Sequence, residues 1–227
     1  WTNSFKLIAW RLIDGPVQFR PLILQRKESG SRFIEWRLQT TPYEIYGFKA
    51  RIVEDCILGG PRALLEEVVG KVEDEPLVAA RHVLAQPVTR KDSRLGTLKL
   101  DRSTGELNGS VKWGTRRVRL SLEADDRGGY EAAQLVAGKV VEDQVAWRPR
   151  LAEASVAKMY PLWQEVWREA QKNLSEKQFL AKLKPNSISV DAGGVVEFWF
   201  DDSDLFAGHA ILVRAMSGGQ IESVELA

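Results

Sequence analysis

At 227 residues, 44% hydrophobic and 28% charged, the chain has an ordinary globular composition and enough apolar content for a packed core. A formal net charge of +1 supplies no global field to gather nucleic acid or anionic lipid. The single cysteine, Cys56, excludes an internal disulfide framework and favours a reducing compartment. No apolar run reaches the roughly 18 residues that span a bilayer, and the first residues lack the basic-then-apolar layout of a signal peptide. Cytoplasmic is the expected compartment, with no membrane partner.

The N-terminal stretch reads as β-rich. Phe5 to Ile13 is dense in strand formers and stops at Gly15-Pro16, and Phe19 to Leu24 follows as a second strand. In Phe33 to Leu38, the apolar Ile34, Trp36 and Leu38 alternate with charges, the period of a strand with one wet face. Tyr43 to Val53 reads the same way, so four strands form a small antiparallel meander. Pro61 then opens a predicted helix over Arg62 to Val69. A second short helix begins near Pro76, behind Glu73-Asp74-Glu75, and runs through His82 to Leu84. The polar, proline-bearing segment Gln86 to Asp92 marks the expected boundary between a module over 1–90 and another over 93–227.

Beyond it, Leu95 to Leu100, Gly105 to Trp113 and Val118 to Leu122 predict a three-stranded meander. After Asp125 to Gly129 the apolar period lengthens to that of helices. Ala132, Leu135, Val136 and Val140 fit one; Val145, Trp147 and Leu151 continue the spacing. Pro149 and Pro161 predict breaks or kinks there. Ser175-Glu176-Lys177-Gln178 has the form of a capping box opening a helix that stops before Pro185. Four strands finish the chain: Ser187 to Val190, Val195 to Phe200, His209 to Val213 and Ile221 to Leu226, with glycine pairs 193–194 and 218–219 in two turns. The expected class is α+β: antiparallel meanders with a helical insert, in two small modules.

One stretch concentrates polar chemistry between two buried runs: Phe198-Trp199-Phe200-Asp201-Asp202, then Asp204-Leu205-Phe206 and Gly208-His209. Together with Leu95 to Asp101, Val118 to Leu122 and Ser187 to Val190, it resembles a bacterial family known as domain of unknown function 2262. The resemblance covers a little over half the chain. It implies an α+β domain and carries no established activity. Ala207 departs from it, since a larger and often aromatic side chain is expected there.

Asp201, Asp202, Asp204 and His209 have the donor types of a divalent-metal site. Their spacing fits no EF-hand, because the fifth position from Asp202 is Phe206. The favoured expectation is a turn whose aspartates cap backbone N–H groups while Leu205 and Phe206 plug the core. His209, opening an apolar strand, is expected to be at least partly buried and hydrogen-bonded. Glu197 or Asp201 could orient its imidazole for acid–base work, which makes His209 and Glu197 the catalytic candidates. Lys112, Arg116, Arg117 and Arg119 gather beside Trp113 at one hairpin tip. Basic residues with an aromatic can hold single-stranded nucleic acid, but a solvated sheet edge is the favoured reading. His82 and Cys56 read as core residues without a zinc-spaced partner.

No P-loop, dinucleotide fingerprint, nucleophile elbow or His-Glu-x-x-His stretch is present. The sequence therefore favours a protein-binding module of immunity or inhibitor type over an enzyme, needing no cofactor and no nucleic acid. Its binding residues are expected among Trp199, Asp201, Asp202, Asp204 and His209. The alternative is a metal-dependent hydrolase built on Asp201, Asp202, Asp204 and His209. Oligomeric state is left open.

Overall fold

The computed structural model describes residues 2–27, 41, 43–53, 62–125, 128–168 and 173–227. The protein is α+β, with two mixed sheets. Its chain contacts fall into two compact units, Trp1–Pro87 and Val88–Ala227.

In the first unit β1 (Thr2–Leu7), β2 (Leu22–Lys27), β3 (Tyr46–Val53) and β4 (Arg62–Lys71) form a sheet of order β1-β2-β4-β3. β2 and β4 run parallel, so the sheet is mixed and not the expected antiparallel meander. The larger correction is β4, where sequence spacing predicts a helix. Its register against β3 slips twice, leaving Glu66 and Val69 unpaired. The first bulge, at Glu66, shifts the inward positions from Ala63 and Leu65 to Val68. Leu64, Leu65, Val68 and Val69 thus acquire a helix-like spacing on a bent strand. The predicted strand over 33–38, Pro61 and Cys56 lie outside the described residues.

The core of this unit is small: Leu22, Leu24, Ala63 and Leu65, flanked by Phe5, Trp10 and Phe48. Helix α1 (Glu75–Ala85) begins as the sequence predicts. Asp74 accepts the Leu77 N–H at 3.0 Å, and Pro76 occupies the first turn. His82 is corrected: it is exposed in the last turn, while Ala80 supplies the buried contact.

The second unit holds one eight-stranded sheet. In chain order its strands are β5 (Thr89–Asp92), β6 (Gly96–Asp101), β7 (Glu106–Trp113), β8 (Arg116–Leu122), β9 (Lys184–Val190), β10 (Val195–Asp201), β11 (Ala210–Met216) and β12 (Ile221–Leu226). Spatial order follows chain order from β12 across to β5. Every pairing is antiparallel except β8 with β9. Parallel neighbours need a long crossover, and residues 123–183 provide it as α2 (Glu131–Glu142), α3 (Gln144–Leu162), a π-helical turn (Trp163–Trp167) and α4 (Glu176–Lys182).

These helices pack on the sheet face that carries Leu98, Leu107, Val111, Val118, Leu120, Ile188, Val196 and Phe198. Phe198 sits between Trp113 and Trp147, with ring centroids 5.5 and 5.2 Å away. Gly109 belongs to this face because a Cβ there would meet Leu98 Cδ2 at 2.5 Å. Of the expected breaks or kinks, no break occurs: Pro149 and Pro161 both lie inside α3, which passes into the π-helical turn two residues after Pro161. Pro149 withholds a donor from the Val145 carbonyl, and Val145 is exposed, so water can take that bond. The capping box forms as predicted: Ser175 Oγ accepts from Gln178 N–H, and Gln178 Oε1 accepts from Ser175 N–H. It starts a helix of only seven residues, which suffices to drive Phe179 fully into the core.

Candidate functional site

β10 alternates strictly. Val196 and Phe198 face the helices, while Glu197, Trp199 and Asp201 point to the other side. The chain then leaves the sheet at Asp202 and returns at Ala210, and the intervening turn is built around one carboxylate. Asp202 is 3% exposed. Its Oδ1 accepts the N–H of Asp204 at 3.1 Å, and its Oδ2 accepts those of Phe206 at 2.6 Å and Gly208 at 3.3 Å. Its own carbonyl accepts Leu205 N–H at 3.1 Å. Charge-assisted bonds of this kind are about twice as strong as neutral ones.

The clamp is needed because the backbone it holds is unusual. Ser203, Asp204 and Ala207 have φ of 47°, 66° and 54°, and Gly208 has 85°. A non-glycine residue in the left-handed region costs roughly 1–2 kcal/mol, less for aspartate. Two further ties hold the turn. Asp201 Oδ1 accepts Ser203 N–H at 2.8 Å, and Ser203 Oγ donates to the Lys182 carbonyl at 2.8 Å, satisfying the end of α4. Leu205 and Phe206 plug the core at 1% and 0% exposure. Phe206 meets Trp167 and Phe179 edge-on, with centroids 5.8 and 6.2 Å away.

The turn therefore sorts its residues. Asp202, Leu205 and Phe206 point inward; Asp201, Asp204, Ala207 and His209 are exposed. His209 is corrected: its ring lies at the surface, edge-on to Trp167 with centroids 5.6 Å apart. It precedes β11 and does not open it, because the residue paired with Asp201 is Ala210. Glu197 is not brought to His209. It pairs across the sheet with Arg214, four residues along from the Asp201–Ala210 pair, or about 13 Å. Its oxygens accept Arg214 Nε at 2.8 Å and Trp199 Nε1 at 3.3 Å. Arg214 also reaches Glu225 at 3.1 Å. Half-buried Trp199 stands directly opposite Leu212 on this face.

A metal centre does not follow from this arrangement. Both oxygens of Asp202 are committed to backbone N–H groups, and among the described residues no group of three or more His, Cys, Asp or Glu side chains could hold an ion. The basic cluster also differs from expectation. β8 is an inner strand, not an edge, and Trp113 is buried on the opposite face from Lys112, Arg117 and Arg119. One feature escapes sequence reasoning altogether. Glu123, beside a concavity lined by Thr104, Gly105, Glu106 and Ala124, has its carboxyl pushed up by burial first, then by Asp191, Glu106 and Glu197. Only the parallel Leu122–Val190 pairing brings Glu123 and Asp191 together, which local spacing cannot reveal.

No helix among the described residues is long and apolar enough to cross a membrane. No curated protein and no solved structure matches the chain. Residues 92–226, which span the whole eight-stranded sheet except the first three residues of β5 and carry the clamped turn, match the family described as uncharacterized protein conserved in bacteria, DUF2262. The match covers more than half of the chain, and the protein belongs to that family.

Proposed function

We propose that this bacterial protein acts by binding another protein, as an immunity- or inhibitor-type module, and that the contact loop is the outward side of the Asp201–His209 turn. The observation that supports this reading is the clamp itself. Three non-glycine residues are kept left-handed by one buried carboxylate, and strain of this kind concentrates where a loop must be held in one shape. A loop fixed before binding loses little conformational freedom when it binds. What it offers is Asp201, Asp204 and His209, with Trp167 at its back: two carboxylates and an imidazole suited to a basic partner surface. The hydrolase alternative has no comparable support, because Asp202 is spent on the backbone and Glu197 is held by Arg214.

The test is site-specific photocrosslinking in the bacterial host, with the crosslinker at Asp204 or Ala207 and a control at Val145. The expected result is one discrete protein adduct from the turn positions, absent from Val145 and abolished by His209→Ala with Asp201→Lys. Equal adducts from all positions, or none from the turn, contradict the reading.

A further inference from the structure

The helices of the second unit cover one face of its eight-stranded sheet; the β5–β8 part of the other face carries a basic field that no ion pair among the described residues neutralises. Lys91 on β5, Lys112 on β7, and Arg117 and Arg119 on β8 all point to that side and are exposed. Among the described residues none of the four makes an ion pair, whereas Arg90, Arg94 and Arg214 in the same unit all do. Lys112 and Arg117 are moreover direct cross-strand partners. Like charges set opposite one another destabilise a sheet, and here no carboxylate relieves them. The acidic residues on the β5–β8 part of this face, Asp101 and Glu106, lie at the far end of β6 and β7, with Glu106 six residues from Lys112, or about 20 Å; farther across the face β10 carries Glu197, already paired with Arg214, and Asp201.

We infer that this open face binds single-stranded nucleic acid through its phosphates, with little sequence preference. Charge complementarity requires an anionic occupant, and the neighbouring side chains choose among anions. Between the cations stand Asn108, Ser110, Ser121 and Thr97, the hydroxyl and amide groups that serve phosphate oxygens. The β5–β8 part of the face presents no aromatic or aliphatic anchor, as a protein interface core does. Among the described residues no helix or ribbon is placed on this face to enter a duplex groove. A stacking platform lies close by: Arg119 pairs with Ser187, which pairs with Trp199, placing the indole two strands away, about 10 Å. The Trp199 Nε1–Glu197 bond fixes that ring in place. Arg117 spends two donors on Ser110, and Arg119 one on Asn186, so each guanidinium keeps N–H groups for a ligand. Arg116 belongs to the hairpin tip and the other face, and takes no part. This inference is independent of the partner proposed for the turn.

The experiment is fluorescence anisotropy of the full chain with labelled oligo-dT and oligo-rU across a salt series. Four phosphate contacts predict a log–log salt slope of about −3. Lys112→Ser/Arg117→Ser/Arg119→Ser should weaken binding at least about tenfold and flatten the slope from about −3 to about −1 or shallower. Its unfolding midpoint should equal or exceed the parent's, since a like-charge opposition is removed. Lys112→Gln alone, the milder change, should flatten the slope by about 0.7. Trp199→Leu should weaken binding several-fold without altering the slope. No binding at about 50 mM salt, or a triple variant that binds like the parent, overturns the inference. Displacement by charge-matched poly-glutamate as readily as by unlabelled oligonucleotide overturns it too, and assigns the face to an acidic protein.

Discussion

Two turns of the second unit use the same device and differ in what they ask of the backbone. At the β5–β6 turn, Asp92 Oδ1 accepts the N–H groups of Arg94 at 2.7 Å and Leu95 at 3.0 Å, its Oδ2 accepts Gln134 Nε2 at 2.8 Å, and Leu95 plugs the core. At the β10–β11 turn, Asp202 takes three backbone N–H groups while Leu205 and Phe206 plug the core. The first turn reaches positive φ only at Gly96, where no Cβ stands in the way. The second puts Ser203, Asp204 and Ala207 there as well. A half-buried carboxylate and an apolar plug thus suffice to close a hairpin cheaply. The extra strain of the β10–β11 turn is not required for closure, which is why we connect it with display.

The plugs should give the largest effects. Phe206→Ala should cost about 3–5 kcal/mol and Leu95→Ala about 2–5, read by chemical denaturation, because each leaves a cavity in a fully packed core. A Phe206→Ala protein within about 1 kcal/mol of the parent would break the parallel between the turns.

The strain prediction separates them. Gly96→Ala should destabilise by roughly 1–2 kcal/mol through φ alone, since nothing lies within 4 Å of an added Cβ. Ala207→Gly should raise stability by up to about 1 kcal/mol, reduced by the greater freedom of glycine in the unfolded chain. Opposite signs at the two positions sharpen the contrast, and equal signs remove it.

The acid response belongs to the first turn. The Gln134 hydrogen bond, against the effect of burial and with help from the Arg94 and Leu95 N–H groups and the Arg94 charge, holds the Asp92 carboxyl below its ordinary value of 3.8. A carboxyl lowered on folding adds stability that is fully present above the unfolded value and is lost as pH falls through the folded one. Asp92→Asn should therefore flatten the fall in stability below about pH 4, measured by urea unfolding across an acid pH series. The smallest effects should come from the outward residues: Asp204→Asn and His209→Ala should each change stability by no more than about 0.5 kcal/mol.

Much of this was legible from residue order. The alternation of Val196 and Phe198 with Glu197 and Trp199 is what the sheet uses, and the Ser175–Gln178 cap is visible as a four-residue pattern. The inward turn of Leu205 and Phe206 follows from placing two large apolar groups inside an acidic run. The misses share a cause in non-local geometry. Bulges at Glu66 and Val69 gave a strand the spacing of a helix. His209 looked buried because it precedes an apolar run, yet its position depends on where β11 enters register with β10. Lys112, Arg117 and Arg119 looked like an edge because β8 acquires its second neighbour only at β9, across a crossover of some sixty residues. The choice of Asp202, rather than Asp201 or Asp204, as the clamp is set by which carboxyl faces the turn interior, and that depends on left-handed residues no propensity announces.

The central claim is that Asp202 is an internal backbone clamp. Its most direct test is thermal unfolding of the parent, Asp202→Asn and Asp204→Asn, each with and without excess magnesium, manganese or calcium. The account predicts that Asp202→Asn loses at least about 2 kcal/mol, because a buried charged acceptor is removed from three N–H groups. It predicts that Asp204→Asn melts with the parent, and that no metal shifts any of the three. A parent midpoint raised by metal, as ligand linkage at a hundredfold excess over Kd would do by about 2.7 kcal/mol, with that rise lost in Asp202→Asn and Asp204→Asn alike, would contradict it.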